Sequence, residues 1–268
     1  SLAPLVSGFS PALFSILFFL LILLLCVRET AVVDIVGKIL TPALLIGLLI
    51  LIVVGVVNPI GPVGEQPLVE NVAATGVDAL AHVVECYTSL KATEFSNIFA
   101  LTGAKLIFEN LVRAYENPED MEAKTAMMLG AFYGGVAITA SGTTAVHALS
   151  YPLGGKFHIA HGVSNAILFA PVMRCNRPAC EKELARLCDA VFPDFAGKTD
   201  EEKSLRVIDA IEEIIRRTDI PTDLKPYGVQ PSDLDFLVTS GSQQRRLLDN
   251  NRKELTLEEI RAIYQSVL

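Results

Sequence analysis

The chain has 268 residues, 51% of them hydrophobic, with 30 acidic against 22 basic side chains and a formal net charge of −8. That balance excludes a nucleic-acid binder, because no basic cluster is present to displace counterions from phosphates. The length allows one large domain or two small ones, and the mean hydropathy of +0.45 is an average over two unlike regions. Residues 1–66 carry only five charged side chains, Arg28, Glu29, Asp34, Lys38 and Glu65, whereas 67–268 reads as ordinary globular protein. The five cysteines (Cys26, Cys86, Cys175, Cys180, Cys188) are odd in number and lack paired CxxC spacing. Buried reduced thiols are predicted rather than a disulfide framework, and Cys175 with Cys180 lacks the second pair that a zinc site needs.

Ser1 to Val27 has no charge, and Ile39 to Val57 is a second uncharged run. Either is long enough to cross a hydrocarbon core of about 30 Å as a helix. The expectation for 1–66 is a hydrophobic hairpin of two transmembrane helices, with the membrane as partner through residues 1–57 and as location. The alternative, a signal peptide followed by a buried helix, lacks a positive segment before Arg28. Arg28 and Lys38 place the connecting loop on the cytoplasmic side. The stretch "VDIVGKILTPALLIGLLILIVVGVVNPIGPVGE" (33–65) resembles the branched-chain amino-acid:cation symporter family. The resemblance implies a transporter with many more helices, so two helices imply a fragment that does not transport. Pro59, Gly61, Pro62 and Gly64 then make a short irregular seam.

Beyond the seam helix signals dominate and strand-like alternation is scarce. Val77, Leu80, Ala81, Val84 and Tyr87 share one side of a helix over 76–87. Residues 120–140 form a long apolar segment, predicted as a central helix. A helix over 199–219 opens with a capping box, Thr199 and Glu202, and buries Leu205, Ile208, Ile211 and Ile215. The last helix repeats the device with Thr256 and Glu259, and Leu255 can staple against Ile260. The fold class is all-α, with 1–66 as the hairpin and 67–268 as a helical domain.

Asp78 and His82 lie four apart, on one helix face. Alone the pair reads as surface, and His147 alone reads as a hydrogen-bonded core histidine. Together with His161 they make a set, since "YPLGG" (151–155) is a predicted turn that returns His161 beside His147. "ATGVDALAHVVE" (74–85) and "AVHALSYPLGGKFHIAHGVSNA" (145–166) resemble the two signature segments of iron-containing alcohol dehydrogenases, and the likeness runs to the C-terminus. It implies that Asp78, His82, His147 and His161 bind one divalent metal, Fe2+ or Zn2+, which polarises a small alcohol or aldehyde for hydride exchange with NAD(P). His158 is the candidate catalytic residue, as proton relay or substrate contact, against the plainer role of a cleft wall. Tyr151 stands where some members of that family have a further histidine.

The family also implies an α/β nucleotide domain opening on a glycine-rich turn after a strand. Neither "YGG" (133–135) nor "LGG" (153–155) follows a strand, so no cofactor-binding residue is assigned. The expectation is a metal half inactive alone, of a cytoplasmic type, with an apolar face that favours homo-oligomers. Two further readings compete with it: a transport component, and two unrelated gene pieces joined near residue 66.

Overall fold

The computed structural model describes residues 41–42, 45–49 and 68–268, and the chain divides into two units, Ser1–Gln66 and Pro67–Leu268. In the first unit, 41–42 and 45–49 are helical and exposed. Among the described residues no helix is long and apolar enough to cross a membrane. This corrects the expected transmembrane hairpin, and with it the membrane as a partner and as a location. The two apolar runs behind that expectation lie outside the described residues, apart from the few positions just named.

The second unit is helical, with no strand among the described residues. Its helices are α1 (Leu68–Thr88), α2 (Glu94–Glu116), α3 (Met121–Ser141), α4 (Ala145–Phe157), α5 (His161–Val191), α6 (Asp200–Arg217), α7 (Leu234–Ser242), α8 (Arg245–Leu248) and α9 (Leu257–Gln265). The long ones are interrupted by charge, as Asp78 and Glu85 do in α1, or diluted by glycine and threonine, as in α3. Side-chain caps fix the starts of several. Thr93 with Ser96 opens α2, Asp120 accepts from the Ala123 N–H at α3, and the capping boxes predicted at Thr199 and Thr256 open α6 and α9.

The central helix is α1. Val77, Leu80, Ala81, Val84 and Tyr87 are buried as the periodicity predicts, and so are Val83 and Cys86, because α2, α3 and α5 all pack on it. The central place predicted for 120–140 is corrected. α3 buries its small stripe, Ala123, Gly130, Gly134, Ala137 and Ser141, and shows Met128 (75% exposed) and Phe132 (64%) to solvent. On α6, Ile208, Ile211 and Ile215 are buried, with Val207 and Ile214 beside them, while Leu205 is only half-buried. Leu255 and Ile260 both join the core.

The predicted turn at 151–155 is also absent. α4 runs straight through Pro152, which is buried with Leu153, and the hydroxyl of Tyr264 on α9 donates to the Leu149 carbonyl at 2.6 Å. The chain reverses later, at His158, whose left-handed backbone (φ 56°) ends α4 in the way a glycine commonly does. Three residues on, α5 begins at His161; it contains Pro171 and Pro178 and is kinked at Cys180. Cys86, Cys175, Cys180 and Cys188 are all free thiols.

Candidate metal centre

Three helices meet at one point. α1 contributes Asp78, His82 and Glu85, which its pitch sets along one side. α4 contributes His147 from its first turn, and α5 contributes His161 as its first residue. The first turn of α5 presses on α1 so closely that a Cβ at Gly162 would lie 2.4 Å from the Ala74 carbonyl oxygen. Only glycine allows that approach, and it sets His161, still half exposed, beside Asp78.

Asp78, His147 and His161 each offer one donor atom, and these atoms lie within 4.8 Å of one another. Asp78 Oδ1 is 3.5 Å from His147 Nε2 and 3.7 Å from His161 Nε2. His82, the fourth residue of the expected set, stands outside this group of three. Its ring stacks on that of His147, with centroids 4.6 Å apart. His158 is exposed at the end of α4. Beside the donors opens a cavity of ≈ 520 Å³ whose lining includes His82, Tyr151, Lys91, Thr143 and Asn250 but not His158.

Two side chains that the sequence reading passed over complete the arrangement. Glu85 is fully buried. Its Oε1 accepts from the N–H groups of Thr144 (3.2 Å) and Val146 (2.7 Å) and from the Thr144 hydroxyl (2.7 Å). The carboxylate of α1 thus caps α4, whose own Thr144 makes no side-chain cap. Its Oε2 forms a short hydrogen bond with His147 Nδ1. Asn165, one turn along α5 from His161, donates to Asp78 Oδ1 at 2.5 Å and lies 3.2 Å from His161 Nε2. The signal for Glu85 was a lone acid in the apolar run "LAHVVECY", one turn beyond His82. Asn165 offered only its four-residue spacing from His161.

The electrostatics couple the buried groups to one another. Burial pushes the Asp78 carboxyl up, but His147, the charge of His82 and the Asn165 amide outweigh it and hold the group down at about 2. Burial pushes His147 down, yet the carboxylates of Glu85 and Asp78 lift it to about 9. Burial and the neighbouring His147 lower His82. His147 Nε2 is buried and makes no well-formed hydrogen bond, its facing acceptor being Asp78 Oδ1 at 3.5 Å. Such a nitrogen, aimed at a carboxylate and a second imidazole, fits a divalent metal, and nitrogen with oxygen donors suits iron or zinc.

The comparisons with known proteins agree with this geometry. The model of the "Fe-containing alcohol dehydrogenase family, C-terminal" matches residues 72–268, and that of "Branched-chain amino acid transport protein" matches residues 3–138. Over the shared stretch, 72–138, the chain forms α1, α2 and α3 of the bundle, with Asp78 and His82 in place. Long-chain-alcohol dehydrogenase 1 of Geobacillus thermodenitrificans is 38% identical over 213 residues, covering 80% of this chain and 53% of that protein. The crystal structure of a 1,3-propanediol oxidoreductase is 28% identical with a TM-score of 0.70, covering 73% of this chain and 51% of that one. Sulfoacetaldehyde reductase of Bifidobacterium kashiwanohense, solved in complex with NAD+, is 26% identical with a TM-score of 0.66, covering 75% and 51%. The chain spans about half the length of these relatives.

Proposed function

Because the chain belongs, through residues 72–268, to the Fe-containing alcohol dehydrogenase family, we propose that its helical unit is the metal-holding half of an enzyme that interconverts small alcohols and aldehydes by hydride exchange with NAD(P). The observation that carries this reading is the meeting of Asp78, His147 and His161 from three helices, with a buried imidazole nitrogen left unpartnered among them. Asp78, His147 and His161 would hold one divalent cation, Fe2+ by family and Zn2+ as the other fit, with His82 joining from its stacked position. When bound, that cation supplies Lewis acidity toward an alcohol or carbonyl oxygen.

This chain's own residues do the positioning. Glu85 holds the His147 ring, Asn165 holds the Asp78 carboxylate, and the cavity beside them admits the substrate. The complex of the similar sulfoacetaldehyde reductase with NAD+ supports a nicotinamide acceptor. Residues 72–268 align with only half of each relative, so we assign the nucleotide to a surface outside them, and expect no turnover from this unit without it. We propose His158 as a proton relay on its position three residues before His161, although it is exposed and does not line the cavity.

Metal analysis of the full chain tests the reading. The unmutated protein is expected to bind one equivalent of divalent metal, and His147→Ala none; an unmutated protein that takes up no metal overturns it. His158→Asn keeps a residue that tolerates the left-handed backbone, so it should leave metal content and folding unchanged. Once a nucleotide-binding partner is supplied, it should slow turnover, and an unchanged rate removes the relay.

A further inference from the structure

We propose that Glu85 decides which ring nitrogen of His147 is free to hold a metal ion, and so is the positioning residue of the centre. The inference rests on the metal reading above and deepens it. The two carboxylate oxygens of Glu85 have separate duties. Oε1 is committed to the N–H groups of Thr144 and Val146 and to the Thr144 hydroxyl. Oε2 meets His147 Nδ1. An ionised carboxylate only accepts, so the proton of a neutral imidazole must sit on Nδ1, and the lone pair is left on Nε2. Nε2 is the atom without a partner, 3.5 Å from Asp78 Oδ1. Glu85 cannot itself be a ligand in this arrangement, since both its oxygens are spent on the Nδ1 side of the ring and on the start of α4.

Glutamine at this position has nearly the same shape and the opposite instruction. Its carbonyl oxygen must stay on the Thr144 and Val146 donors, because turning the amide round would aim N–H groups at N–H groups. Its NH2 group then faces His147 Nδ1 and donates to it. The ring proton moves to Nε2, and the lone pair that faced the site is gone. A purely structural Glu85, serving only as the cap of α4, predicts something else: lost stability with unchanged metal affinity in the folded protein.

The test uses the full chain, stripped with a chelator and titrated with Zn2+ alone, which keeps the nuclear magnetic resonance spectrum free of paramagnetic broadening. Glu85→Gln is expected to weaken zinc binding by about 10- to 100-fold, while the metal-free variant keeps its helical circular dichroism. In ¹⁵N-labelled protein, the His147 ring, assigned by its loss in His147→Ala, should be protonated at Nδ1 in the zinc-loaded unmutated chain and at Nε2 in metal-free Glu85→Gln. Equal zinc affinity in a folded Glu85→Gln protein overturns the inference. So does an Nε2 proton on His147 in the zinc-loaded unmutated chain, a result that stands even if the variant does not fold. Failure of the unmutated chain to bind zinc at all would instead remove the metal reading on which the inference rests.

Discussion

At the scale of single residues, the centre without its cation is an ion pair held inside the protein, and that gives the stability a definite pH signature. His147 titrates at about 9 against its ordinary 6.5, so its contribution is complete below 6.5 and is lost as pH rises through about 9. Asp78 titrates at about 2 against 3.8, so its contribution is present above 3.8 and is lost as pH falls toward 2. Chelated protein should therefore melt at progressively lower temperature from pH 6.5 to 9. Zinc-loaded protein, in which His147 is a neutral ligand, should not. Parallel melting curves for the two forms over that window would contradict the pairing. The residues that were legible in the sequence were those whose type is rare here. Four histidines in 268 residues make any convergence conspicuous. Glu85 was not legible, because a glutamate on a helix ordinarily reads as a solvated face, and only the tertiary contact with the start of α4 shows it buried.

At the scale of elements, the turn from α4 to α5 is the hinge of the site, and the sequence misplaced it. Pro152, Gly154 and Gly155 carry the local chemistry of a turn, yet packing of Pro152 and Leu153 in the core and the Tyr264 hydrogen bond to Leu149 keep that stretch helical. The reversal falls instead on His158, a residue with no local preference strong enough to announce it. The approach of α5 to α1 then depends on Gly162. Gly162→Ala would place a methyl group 2.4 Å from a backbone oxygen of Ala74, a clash that no flexible side chain can relieve. We expect a loss of about 1–3 kcal/mol together with weaker metal binding, because His161 must move with its helix. Denaturant melts and metal titration of this variant check both. By contrast the apolar stripe of α1 was legible: Val77, Leu80, Ala81, Val84 and Tyr87, spaced by the helical repeat, are all covered by neighbouring helices, which also bury Val83 and Cys86.

At the scale of the whole molecule, the all-α class and four of the helices were legible in 68–268, whereas α2, α4 and α5 were not named and the wrong helix was taken as the centre. Apolar residues surround α3 on all sides, so periodicity could not show which side is inward; size decided it. Small residues admit the close packing of α2, as where a Cβ at Gly130 would lie 2.7 Å from Ile107, and the large ones were left outside. Met128→Lys and Phe132→Lys are accordingly expected to change the unfolding free energy by no more than about 0.5 kcal/mol, and a drop of several times that would mean that the face is covered. At Gly130 and Phe132 the usual grammar of mutation is therefore reversed. A timid exchange of glycine for alanine at Gly130 does damage, whereas a drastic exchange of phenylalanine for lysine at Phe132 passes unnoticed. Ranking these two variants by chemical similarity would order them backwards.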